Sequence, residues 1–77
     1  MDMNLNLTLY SVANVKDFIA ITNNYGYHQE LRQGRFVVDA KSILGVMSLN
    51  LSKPVTYYCE TFDAGLKDKL RAYTAEA

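Results

Sequence analysis

The sequence predicts an α+β fold: a two-layer, open-faced sandwich in which a four-stranded antiparallel sheet is covered by three helices, in the order βαββαβα. Three observations predict it. Four segments alternate apolar and polar residues with the period of a half-buried strand, and three others repeat apolar residues at helical spacing. The chain has 77 residues, 49% of them apolar, which is enough for one core and for a single domain spanning residues 1–77. Each strand has one apolar face, so the helices must gather on that face and leave the other to water.

The first strand is predicted from Met3 to Leu9, where Met3, Leu5, Leu7 and Leu9 alternate with Asn4, Asn6 and Thr8. Ser11 and Asn14 both have N-capping side chains. The helix after them is placed at about Val15 to Asn24, with Val15, Phe18, Ile19 and Thr22 on one stripe, and Asn23, Asn24 and Gly26 close it. A second strand over Tyr27 to Arg32 turns Tyr27, Gln29 and Leu31 inward and His28, Glu30 and Arg32 outward. Gln33-Gly34 makes a tight turn into a third strand, Arg35 to Ala40, with Phe36, Val38 and Ala40 inward.

A short helix opens at Ser42, an N-cap, and fades near Asn50. Its Ile43, Leu44, Val46, Met47 and Leu49 cover more than one helical face. That surplus of apolar surface suits a patch that meets a partner, or a helix buried all round. Ser52-Lys53-Pro54 breaks the chain. The fourth strand, Val55 to Glu60, turns Val55, Tyr57 and Cys59 inward. The last helix starts between Thr61 and Asp63, with Phe62, Leu66, Leu70 and Tyr73 on one stripe and Asp63 four residues before Lys67 in the favourable order for an ion pair.

Eight acidic and eight basic residues balance, which removes the electrostatic footprint of a nucleic-acid binder or a polybasic membrane anchor. The lone Cys59 allows no internal disulfide, which fits a reducing, cytoplasmic setting, and it is expected to pack as a small apolar residue. The N-terminus, with no basic start and no continuous apolar run, predicts no signal peptide, and no stretch approaches the ~20 apolar residues of a membrane span. One histidine and one cysteine make no metal site. His28 reads as a solvated strand residue with no orienting carboxylate or anion nest beside it.

The run Lys41-Ser42-Ile43-Leu44-Gly45-Val46-Met47-Ser48-Leu49 closely resembles the segment around the regulatory serine of the histidine-containing phosphocarrier proteins (HPr) of the bacterial phosphoenolpyruvate-dependent sugar phosphotransferase system. The element order is also that family's, so the resemblance covers nearly the whole chain. It implies regulatory phosphorylation at Ser42 by a dedicated kinase, with a transcriptional regulator downstream. It also implies partner docking through Ile43, Leu44 and Met47. On the residues alone, Ser42 reads as an N-cap only.

The resemblance fails where the family's chemistry lies, in a Gly-x-His-Ala-Arg-Pro loop before the first helix. Carried back from Ser42 without gaps, the histidine position falls on Ser11 and the arginine and proline positions on Ala13 and Asn14. A phosphocarrier needs an imidazole that forms a labile phosphoramidate, and a phosphoserine ester is too stable to replace it. The expectation is therefore a divergent HPr-like protein with no enzyme activity, no catalytic residue and no cofactor. It would act through protein partners, HPr kinase or a transcriptional regulator among them, without nucleic acid or membrane, as a monomer or weak homodimer. With Lys16 the only cation before Asn24, enzyme I of the system should bind it weakly. Two alternatives stay open: residual phosphotransfer at Ser11 or His28, and a structural role with the apolar helix as a dimer seam.

Overall fold

The computed structural model of the chain describes residues 1–74. In chain order it contains β1 (Met3–Leu7), α1 (Val12–Thr22), β2 (Gln29–Gln33), β3 (Phe36–Asp39), α2 (Ile43–Met47), β4 (Val55–Cys59) and α3 (Ala64–Leu70), followed by a 3-10 turn at Arg71–Tyr73. The strands form one antiparallel sheet in the order β1-β4-β2-β3, and the fold is the α+β open-faced sandwich with βαββαβα order.

Register follows the alternation. Leu5 lies opposite Tyr57, and Leu31 opposite both Tyr57 and Val38, so one row of apolar side chains crosses the sheet beneath the helices. Tyr57 and Phe18 fill the centre, both fully buried. Phe18 meets the rings of Tyr57 and Tyr73 edge-on, with centroids 6.2 and 6.3 Å away, a geometry that adds about 0.5–1.5 kcal/mol per pair beyond area burial. The buried Tyr57 hydroxyl donates to Gln29 Oε1 at 2.7 Å, and Gln29 Nε2 donates to the Thr22 and Tyr25 carbonyls at 3.1 Å each. Burial therefore pushes the Tyr57 phenol far up and keeps it neutral. Cys59 is buried, as a small apolar residue should be.

Several expectations need correction. The helix placed at Val15 to Asn24 runs from Val12 to Thr22, capped by Ser11, whose Oγ accepts Asn14 N–H at 3.1 Å. Asn14 does not cap; its side-chain amide donates to the Leu9 carbonyl at 2.6 Å. β1 ends at Leu7, two residues earlier than expected, because Tyr10 takes a φ of 63° and Ser11 N–H closes onto the Leu9 carbonyl at 2.7 Å. This is the rarer, positive-φ form of γ-turn, which sequence periodicity does not reveal. Phe36, expected inward, is largely exposed, at the turn end of an edge strand. Asp63 and Lys67 form no ion pair; Asp63 is instead the N-cap of α3, accepting Leu66 N–H at 3.0 Å and the Tyr27 hydroxyl at 2.7 Å. Those two bonds hold its carboxyl below the usual range, and the same carboxylate raises the Tyr27 phenol.

Candidate functional site

The segment after β3 is held by α1. Thr22 Oγ1 donates to the Ala40 carbonyl at 2.9 Å, and Asn23 Nδ2 reaches the Ile19 and Lys41 carbonyls at 2.9 and 3.2 Å. The chain then turns, with Ser42 N–H on the Asp39 carbonyl and Lys41 N–H on Asp39 Oδ1. Ser42, in extended conformation, caps α2 by accepting Gly45 N–H at 3.2 Å. Gly45 lets the helix lie close to the sheet: a Cβ there would stand 3.2 Å from Val38 Cβ.

This docking sorts the apolar residues of the segment. Val46 and Leu49 are buried, whereas Leu44 is 82% exposed, Ile43 42% and Met47 40%. Three large apolar side chains at helical spacing thus face solvent beside a half-buried Ser42. Lys41, next in sequence, directs its ammonium to the Tyr27 carbonyl at 2.9 Å.

The start of α1 carries no comparable chemistry. Ser11, exposed, is its N-cap; Ala13 is exposed on its first turn, and Asn14 is tied back to Leu9. The protein's one histidine lies elsewhere, on the open face of the sheet beside the start of β2. There His28 does have a carboxylate neighbour, contrary to expectation: its Nε2 is 2.7 Å from Glu30 Oε2, because residues two apart on a strand share a face. Glu30 also accepts two bonds from Arg32, at 3.0 and 2.7 Å, and Arg32 lies 4.9 Å from the centre of the Tyr58 ring. Glu30 is consequently held below the ordinary carboxylate range, first by His28 and then by Arg32. His28 is itself exposed. Among the described residues no group of three metal-ligating side chains exists, and no helix is long and apolar enough to cross a membrane.

An open-faced βαββαβα sandwich with a short apolar helix docked over its third strand is the HPr-like fold. Solved structures with this architecture bear it out. HPr-C-His from Thermoanaerobacter tengcongensis is similar with a TM-score of 0.72 and 20% identity over 91% of this chain and 85% of that one. A phosphocarrier protein HPr from Bacillus anthracis str. Ames is similar with a TM-score of 0.72 and 22% identity over 97% of this chain and 96% of that one. No family model and no curated protein matches the chain. At this level of identity the likeness is one of fold.

Proposed function

We propose that the chain is an HPr-like protein related to the bacterial phosphotransferase system that has no histidine phosphocarrier activity and acts in the cytoplasm as a binding and regulatory module. The observation that carries this reading is the division within α2: Val46 anchors the helix, and Ile43, Leu44 and Met47 are left facing solvent next to Ser42. Large apolar and methionine side chains on a short helix suit docking against a protein groove. The loss of the carrier role is supported by the serine that caps α1 and by the single histidine beside the start of β2, away from any helix start. In this reading the chain is not an enzyme.

Ser42 is the proposed control point. A phosphate on its Oγ would carry oxygens that can replace the cap to Gly45 N–H, and would place about two negative charges against the docking residues. Lys41 would have to leave the Tyr27 carbonyl to pair with it. The test is the intact mass of the protein after incubation with HPr kinase and ATP. One added phosphoryl group, lost in Ser42→Ala, is the expected result. An unmodified protein would remove the control point and leave Ser42 as an N-cap alone. A fluorescent HPr-binding regulator should then bind the wild type and not Leu44→Asp; equal binding to both would refute the docking surface.

A further inference from the structure

The sheet has two edges, and they are treated differently. The β1 edge is covered at its C-terminal end: Leu7 bridges to Thr74, and Thr8 N–H bonds the Tyr73 carbonyl at 2.8 Å. At the β3 edge, among the described residues, no strand pairs with the outer side. β3 has no proline, no lysine and no bulge, three of the devices that keep an edge from pairing, and it exposes Phe36 (64%) and Val37 (57%) on its two faces.

The backbone phase of this edge is fixed. Gln33 and Phe36 face each other across a two-residue turn, with φ of 61° at Gly34 and a negative φ at Arg35, as in a II′ turn. Ala40 N–H donates to the Gln29 carbonyl, so Phe36 and Val38 point their peptide groups toward β2, and Val37 and Asp39 point theirs outward. The Asp39 carbonyl is already used by Ser42 N–H. What remains outward is the N–H and C=O of Val37, the N–H of Asp39 and the C=O of Arg35.

The side chains along this edge are self-complementary. Arg35, Val37 and Asp39 are all exposed and alternate in sequence; Val37 and Asp39 lie in β3 on the face opposite Phe36 and Val38, and Arg35 is the turn residue just before it. Neither Arg35 nor Asp39 has an ion-pair partner among the described residues, and Asp39 uses only Oδ1, on Lys41 N–H. If two copies meet antiparallel about a two-fold axis at Val37, each Arg35 stands opposite the second copy's Asp39. In that register Val37 lies opposite its own copy and Phe36 opposite Val38. The same register lets the two Val37 residues exchange both backbone groups, and brings each Asp39 N–H to the second copy's Arg35 carbonyl. Slipping by one residue would break both the hydrogen-bond phase and the charge match.

We propose that β3 is a homodimerisation edge, at which two copies of this chain join antiparallel through Arg35–Asp39 pairs about Val37 to make one continuous eight-stranded sheet. The occupant is a second copy because one short stretch, Arg35 to Asp39, supplies both members of the charge pair, the condition an isologous contact imposes. The inference is independent of any role for Ser42, and it assigns the seam to β3 and not to the apolar helix.

The test is sedimentation equilibrium of the full chain over a range of concentrations, with the fold of each variant checked by its amide NMR spectrum. The wild-type mass should rise toward that of a dimer. Arg35→Glu should weaken association at least about tenfold, and so should Asp39→Arg, tenfold being what ~1.4 kcal/mol produces. Mixing the two variants should restore association as a heterodimer, because both facing pairs are then of opposite sign. Val37→Pro, which removes an outward N–H and leaves the ladder to β2 intact, should also abolish it, whereas Leu44→Asp should not. A wild type that stays monomeric at about 1 mM, or Arg35→Glu and Val37→Pro variants that associate as the wild type does, would overturn the proposal. Loss of association in Leu44→Asp alone would overturn it in favour of a seam at α2.

Discussion

The helices α1 and α2 start alike and end up doing different work. Each opens on a serine in extended conformation whose Oγ accepts the N–H three residues on, at 3.1 Å from Ser11 and 3.2 Å from Ser42. From there α1 runs eleven residues and turns Val15, Phe18 and Thr22 into the core, while α2 runs five and buries only Val46. A helix of five residues has little intrinsic stability, so α2 persists because it is tied at both sides, by Thr22 and Asn23 from α1 and by the close approach of Gly45 to Val38. The difference teaches that a cap marks where a helix begins and says nothing of what it is for. α1 is a wall of the core, and α2 is a ledge anchored by Val46 from which Ile43, Leu44 and Met47 reach solvent.

That contrast can be broken most severely at the α1 end. Phe18→Ala should destabilise the fold by about 3–5 kcal/mol, the range for removing a buried aromatic, measured by urea denaturation. An effect under ~1 kcal/mol would mean that α1 is not the wall described. Next in size is Tyr57→Phe, which leaves the buried Gln29 Oε1 without its donor and should lose about 1–3 kcal/mol. The two caps sharpen the comparison: Ser11→Ala and Ser42→Ala should each lose about 1 kcal/mol. Only Ser42→Ala should alter phosphorylation. Leu44→Asp, at a site almost fully in solvent, should change stability by less than ~0.5 kcal/mol while removing partner binding.

The smallest effect is in acid. The folded-state pKa of Asp63 is depressed, so the stability its two bonds provide is complete above its unfolded value of about 4 and is lost as pH falls through the lower folded value. Glu30 adds to the trend in the same direction. Thermal melts from neutral pH downward should show Tm falling below about pH 4. The fall should be shallower in Asp63→Asn, which starts from a lower Tm at neutral pH.

Most of the fold was legible in the sequence because its strands obey strict alternation: Val55, Tyr57 and Cys59 are inside and Tyr58 outside as the pattern demands, and Gln33-Gly34 makes the turn. The start of α1 was not legible, because Ser11 and Asn14 have equal capping chemistry and the decision rests on Tyr10 adopting a positive φ held by its N–H on the Leu51 carbonyl. Phe36 is exposed against its alternation because alternation gives a strand's face and not how deeply each position on that face is covered. At the candidate site the sequence showed that α2 carries more apolar residues than one face needs. Which of them stay out was settled by Gly45, which sets how α2 lies on β3. The Glu30 partner of His28 follows from residues two apart on one strand face, a signal present in His28-Gln29-Glu30. The free edge of β3 had no sequence signal at all, since strand order across the sheet is set by tertiary packing.

The central claim is that the HPr-like fold here serves binding without carrying phosphate on histidine. It is tested most directly by incubating the purified chain with enzyme I and phosphoenolpyruvate and measuring its intact mass at neutral pH and after brief acid treatment. The account predicts an unchanged mass in both samples. One added phosphoryl group that acid removes would contradict it and restore a carrier role, and repeating the experiment with His28→Ala would show whether the imidazole on the open sheet face holds it.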